Sequence, residues 1–185
     1  MSVLLYPDCP PQKQFSVCRC VSLAVAEFLK KQLQIENTCI KYPNDIYIAD
    51  RKVAGILIEH SLRSDRINYS IAGIGLNVNQ VVFSEKLPNP TSILLETKQQ
   101  YQPFFCMEAV VANIKAFSQY SSALLEEEYE KFLYKKNEFS KFLIPQISSV
   151  PIEAEIKGVT ENGLLHLCDR GNHSYFCGLN EVVFV

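Results

Sequence analysis

The seven residues Gly73-Ile74-Gly75-Leu76-Asn77-Val78-Asn79 hold the most chemically pointed pattern in the chain. Alternate side chains of a strand point to opposite faces. Ile74, Leu76 and Val78 therefore share one face, and Gly73, Gly75, Asn77 and Asn79 the other. The first face suits a core. The second offers two positions without side chains, followed by two amides. Glycine inside a strand weakens it and often marks close approach of a ligand or another backbone. The neighbouring amides could hydrogen-bond a nucleotide or coordinate a phosphate-bound Mg²⁺. A bulge or tight packing explains the same pattern equally well. It is not the Gly-x-Gly-x-x-Gly fingerprint, because position 78 is Val.

Lys41-Tyr42-Pro43-Asn44-Asp45 puts a lysine at a strand end, just before a turn fixed by proline. Held there, its ammonium could neutralise a carboxylate and a phosphate at once, the electrostatic need of an acyl-adenylation step. The plainer reading makes Lys41 one of 18 basic residues, on the surface, with Asn44-Asp45 capping a turn. Spacing alone favours the plainer one. Lys52-Val53-Ala54-Gly55-Ile56-Leu57-Ile58-Glu59 is nearly continuously apolar and reads as a buried central strand. His166 and His173 stand apart from any cysteine pair. No Ser-His-Asp order, His-Glu-x-x-His helix or phosphate-binding loop occurs, so hydrolase and metalloprotease readings have no support.

The elements that must position these segments follow from periodicity. Residues 2–6 form a short apolar strand, broken by Pro7 and Pro10-Pro11. From Gln14 to about Leu33, Phe15, Cys18, Val21, Val25, Phe28 and Leu29 recur at helical spacing. Strands are expected at Thr38–Lys41, at Asp45–Ala49 and Lys52–His60 joined by Asp50-Arg51, and at Ile67–Val78. A short helix is expected near Thr91–Leu95. Two further helices follow, one after Pro103 and one over Ala123–Lys136, whose Glu126-Glu127-Glu128 run reads as a solvated face. Beyond Ile147–Val150 the chain becomes strand-like at Ile152–Val159, Leu164–Cys168, Ser174–Cys177 and Val182–Val185, with Asn162-Gly163 as a hairpin turn. The expected division is a core over 1–146 and a small β-barrel or meander over 147–185.

The chain has 185 residues, 48% of them hydrophobic and 21% charged, which is material for a packed core. A net charge of −2 argues against nucleic-acid binding, which normally brings a basic excess. No apolar run reaches the roughly 18 residues of a membrane span. The start lacks a basic segment and a long apolar stretch, so no signal peptide is expected. Seven cysteines without Cys-x-x-Cys spacing read as reduced thiols, and a cytoplasmic location is expected.

Taken in order, Lys-Tyr-Pro-Asn-Asp, Lys-x-Ala-Gly-Ile-Leu-Ile-Glu and Gly-Ile-Gly-Leu-Asn-Val-Asn closely resemble biotin protein ligases. Thr91-Ser92-Ile93 fits the same family, and the C-terminal strands fit it more loosely, so the resemblance covers essentially the whole chain. It implies an α+β fold: a mixed β-sheet flanked by helices, of the class II aminoacyl-tRNA synthetase and biotin ligase type, with a small SH3-like β-barrel. It also implies a two-step reaction. Biotin and Mg·ATP give biotinyl-5′-adenylate, and the biotinyl group passes to a lysine on the biotin carboxyl carrier domain of a carboxylase.

Carried over by position, Lys41 would contact the biotin carboxylate and the α-phosphate, and Asn77 would bind ATP and its Mg²⁺. Gly73 and Gly75 would make room for the ligand. Asn44, Asp45 and Lys52 would be secondary, Asp45 supporting the turn that aims Lys41. Tyr42 stands where the family usually has Trp, an exchange expected to matter little. The family's upstream Gly-Arg-Gly-rich loop, the Trp after it and a Ser-Thr-Asn segment have no counterpart here, nor has a DNA-binding helix-turn-helix. Three functions are therefore carried forward: a biotin protein ligase with a short N-terminus, a non-catalytic binding or assembly module of the same fold, and a lipoate or octanoate transferase. A homodimer is an expected assembly.

Overall fold

Short turns between alternating segments make residues 38–76 a run of hairpins. A computed structural model describes residues 1–185 and places this run in a five-stranded sheet. Its strands are β1 (Ser2–Leu5), β2 (Thr38–Lys41), β3 (Asp45–Ile48), β4 (Arg51–Arg63) and β5 (Arg66–Leu76), ordered β1-β5-β4-β3-β2. Every neighbouring pair is antiparallel. The expected mixed sheet is thus corrected. The helical crossover after β1 delivers β2 to the opposite edge, so these two strands never become neighbours.

That crossover is α1 (Phe15–Glu27), which ends in one wider π turn over Phe28–Gln32. Its apolar side chains meet one face of the sheet, where Ile40, Ile46, Ala54, Ile56, Ala72 and Ile74 are buried. Helices α3 (Pro103–Phe117) and α4 (Ser122–Phe132) pack on α1 in turn, and the short α2 (Ile93–Thr97) lies beyond β5. The helices α1, α3 and α4 thus stack on one side of the sheet and do not flank it on both. On the other face Leu57 is 65% exposed and Ile71 39%.

The helix expected over Ala123–Lys136 stops at Phe132. Leu133 is extended and lies beside Ile40, and the Tyr134 N–H donates to the Ile40 carbonyl at 2.9 Å. The backbone satisfies itself at the sheet edge in place of another helical turn. A second antiparallel sheet follows, ordered β10-β6-β7-β8-β9. Its strands are β6 (Phe139–Leu143), β7 (Ile152–Val159), β8 (Leu165–Asp169), β9 (Ser174–Cys177) and β10 (Val183–Phe184). β6 gave no signal in the sequence, and it starts this sheet ahead of the boundary expected at 146/147. The end strands β9 and β10 do not pair, so the strands do not close into a barrel.

The two sheets share one hydrophobic core, continuous from Val21 and Ile56 to Ile156 and Leu167. Arg19 of α1 is fully buried at the junction. Its Nη2 donates to the carbonyls of Val159 at 2.7 Å and Thr160 at 3.0 Å, and its Nη1 lies 3.4 Å from Glu126. Burial lowers the guanidinium pKa, and Glu126 opposes that shift. No helix is long and apolar enough to cross a membrane.

Candidate functional site

The strand register turns the three sequence motifs into one row. Lys41 of β2 sits opposite Asp45 of β3, Asp45 opposite Gly55 of β4, and Gly55 opposite Gly75 of β5. Cross-strand partners share a face, so all four lie on the side away from the helices. Gly73 is two residues from Gly75 on that face, opposite Leu57. A Cβ built on Gly73 or Gly75 would meet only one backbone carbonyl, at 3.7 Å in each case. Internal packing therefore does not demand glycine at either position. The space above them is open.

Lys52 reaches this face through a bulge. It lies three positions from Gly55, which in a regular strand would put it on the helix side. The register shifts between Ile46 and Tyr47, making Val53 the extra residue and pairing Lys52 with Tyr47. The Lys52 ammonium then rests 2.5 Å from the Asp45 carboxylate. Both ends of this ion pair lie over Gly55, where a Cβ would come within 3.3 Å of Lys52 Cε and 3.5 Å of Asp45 Oδ1. Asp45 is thus engaged by Lys52, and no carboxylate lies within ion-pair distance of Lys41.

Asn77 closes the far side. Its backbone N–H donates to the Val53 carbonyl and its Nδ2 to the Thr91 carbonyl, both at 2.9 Å, while its own carbonyl accepts from Ile93. The Asn77 Oδ1 is left unused by these bonds. Thr91 is fully buried, bonds Lys52 through its backbone, and donates its hydroxyl to Glu96. Ser92 caps α2 by accepting from the Leu95 N–H. The Thr91-Ser92-Ile93 segment therefore fixes both Lys52 and Asn77. Asn79 differs. Its amide donates to the Tyr101 carbonyl at 2.7 Å and accepts from the Tyr101 N–H at 3.1 Å, so it is a loop clamp.

Two hydrogen bonds pin the turn behind Lys41. Tyr42-Pro43 is a cis peptide, Asn44 Nδ2 donates to the Ile56 carbonyl at 2.6 Å, and the Tyr129 hydroxyl donates to the Pro43 carbonyl at 2.7 Å. Asn44 is therefore a strut of the turn. The Tyr42 hydroxyl reaches the second sheet, 2.8 Å from the Gly163 carbonyl and 3.2 Å from that of Cys177. Its single proton serves one acceptor at a time, the nearer being Gly163. Gly163 has φ +89°, and a Cβ there would fall 2.7 Å from the Phe15 ring, so glycine is required on both counts. Tyr42 is thus more than a retained aromatic: it ties the lysine turn to the second sheet.

The Lys41 ammonium rests between two rings, 5.2 Å from the Tyr47 centroid and 4.9 Å from that of Phe184. Burial lowers its pKa below the ordinary lysine value. Asp45 and Asp50 push it back up, and Lys135 and Lys52 push it down. Sequence reading missed Tyr47 and Phe184. Tyr47 was recoverable, since it shares a face with Asp45. Phe184 stands near the other end of the chain and had no signal. The arrangement can hold an anion: an ammonium without a carboxylate partner, beside an open floor, with an amide oxygen at its far end.

Antiparallel sheet, one-sided helices and appended strands together make the fold of a biotin protein ligase. The apo biotin protein ligase from Aquifex aeolicus superposes with a TM-score of 0.76 at 24% identity, covering 100% of this chain and 80% of that one. A biotin protein ligase-like protein of unknown function from Silicibacter gives a TM-score of 0.75 at 12% identity, covering 95% and 76%. The family model for the Biotin/lipoate A/B protein ligase family matches residues 1–77. The bifunctional ligase/repressor BirA of Bacillus subtilis is 42% identical over 80 residues, 43% of this chain and 24% of that protein. The chloroplastic biotin–protein ligase 1 of Arabidopsis thaliana is 34% identical over 127 residues, 66% of this chain and 28% of that protein. The matched stretches span about a quarter of the length of these two relatives. Residues 1–77 are thus similar in sequence to this family, and the whole chain is similar to its solved members in fold.

Proposed function

We propose that this chain carries the nucleotide side of a biotin protein ligase, which joins biotin to AMP and passes the biotinyl group to a carrier lysine. The observation that carries this reading is the row Lys41–Asp45–Gly55–Gly75, with Asn77 at its end. In the first step a biotin carboxylate oxygen attacks the α-phosphorus of ATP and pyrophosphate leaves. Two anions must meet, and charge grows on phosphorus at the transition state. Lys41 lies where one ammonium can touch both, and its partial burial strengthens that interaction. Gly73 and Gly75 give the ligand a floor. The pair Lys52–Asp45 keeps Asp45 from neutralising Lys41, and Asn44 holds the turn. A family neighbour from Aquifex aeolicus was solved in complex with biotin and ATP, which agrees with this ligand pair.

Mg²⁺ fits this set in one way only. No three His, Cys, Asp or Glu side chains gather into a metal-holding group. The unused Asn77 Oδ1 is one oxygen ligand, suited to an ion held mainly by substrate phosphates and water. Mg²⁺ would neutralise phosphate charge there. The second step would use the same floor, with a lysine of a biotin carboxyl carrier domain displacing AMP. The 1–146 and 147–185 division, a homodimer and a cytoplasmic location stand with this proposal.

Titration calorimetry with a non-hydrolysable biotinyl-adenylate analogue tests it. Stoichiometric binding, weakened at least about 100-fold by Lys41→Ala, is expected. A folded chain that takes up no analogue would end the ligase reading. The exposed open face favours a second reading, a non-catalytic assembly module. Leu4 is 53% exposed and lies opposite Ile71 next to Leu57, an apolar surface of the kind that marks interaction sites. The lipoate or octanoate reading shares the family description and has no observation of its own.

A further inference from the structure

Phe184 is one residue from the end of the chain. Strand β10 hangs it on β6: Phe184 pairs with Phe142, and the Val185 N–H donates to the Lys141 carbonyl at 3.1 Å. The Phe184 ring is set edge-on to the fully buried Phe142, centroids 5.1 Å apart at 69°, and lies 6.2 Å from Tyr134. Tyr134 stands 5.8 Å from Tyr47 and donates its hydroxyl to Asp50 at 2.5 Å. The two rings that bracket the Lys41 ammonium are therefore themselves fixed, one by the second sheet and one by β3.

A carboxylate partner would have to be displaced, at a cost, before Lys41 could meet an incoming anion. An aromatic face attracts an ammonium by its quadrupole and leaves the full positive charge available. It also restrains a side chain with four rotatable bonds, whose ordering otherwise weakens binding. We infer that Phe184 is a positioning residue for Lys41, so that anion binding at the glycine floor depends on the last strand of the chain. This inference rests on the ligase reading for its ligand and on the two aromatic contacts for its geometry.

The test compares Phe184→Leu, which removes the ring and keeps the apolar bulk, with Phe184→Tyr, which keeps the ring. The first readout needs no ligand. In a ¹³C-lysine sample, the Lys41 ε-methylene, assigned by its disappearance in Lys41→Arg, should be shifted upfield by the rings. Phe184→Leu should move it toward the exposed-lysine position, and Phe184→Tyr should leave it in place. The second readout is calorimetric affinity for the biotinyl-adenylate analogue, expected to fall about tenfold in Phe184→Leu and to be restored in Phe184→Tyr. Equal thermal midpoints in the two variants would place the loss at the lysine and not in the fold. An unmoved methylene, or an unchanged affinity in Phe184→Leu, overturns the inference and leaves the ligase reading standing. Wild-type chain that binds no analogue ends the ligase reading, and the assigned role ends with it even where the methylene shift is seen.

Discussion

The two ends of the site row are built in opposite ways. At the glycine end, Gly55, Gly73 and Gly75 come from two adjacent strands, alternation alone puts the last two on one face, and Asn77 follows one residue past β5. At the lysine end, Lys41 is surrounded by Tyr47 from a neighbouring strand, Lys135 from beyond the last helix and Phe184 from the second sheet. The first end is an absence of side chains, which local sequence can specify. The second is a set of contacts that exists only once distant segments have folded together. A substitution at the first should alter what fits, and one at the second should alter how the charge is held.

The sharpest break between the ends is Lys41→Ala. Under the proposed ligase reading, adenylate formation should fall by a factor of about 100 to 1,000, the usual loss when one preorganised charge is removed. Unchanged turnover would remove Lys41 from the reaction. Gly75→Val comes next and acts in the opposite sense at the other end. Its side chain should fill the floor and weaken analogue binding at least about tenfold, while the thermal midpoint holds or rises. The open space above Gly75 permits that, and a strand gains by about 0.5–1 kcal/mol when glycine is replaced. A clear loss of stability would mean that protein already occupies that space. Tyr42→Phe should cost about 1 kcal/mol in urea unfolding, one buried hydrogen bond to the second sheet. Lys52→Met is the mildest, about 0.5 kcal/mol, because the pair it breaks is partly exposed. A larger loss there would make the bulge, and not the ion pair, the element that matters.

How much of this was legible follows the same division. The face assignment of Gly73 and Gly75 and the turn at Asn162-Gly163 depend on neighbours a few residues away, and the structure contains both. The hairpin expected around Asp50-Arg51 also forms, but its turn is Ala49-Asp50, because Arg51 already pairs with Ile48. Lys52 could not be placed, since its face depends on a one-residue register shift that no local pattern announces. Asn79 carries the same alternation as Asn77, yet its amide is spent on Tyr101 because the chain has already left the sheet. The expected end of α4 and the missing β6 fail for one reason. Residues 133–143 have helical composition in part, and the free edge of β2 and the strands of the second sheet outweigh it by pairing. The mixed sheet was an expectation of family type, and only the crossover geometry decides it.

Arg19 sets how the molecule comes apart. Its guanidinium is sealed in the junction, with two acceptors on β7 and the turn after it, and a third polar neighbour on α4. Pulling the second sheet away would break the Arg19 bonds to Val159 and Thr160 and expose the apolar core that both sheets share, a large penalty against a small net stability. The chain should therefore melt as one cooperative unit. The proposed parts 1–146 and 147–185 would then differ in architecture and share one unfolding transition.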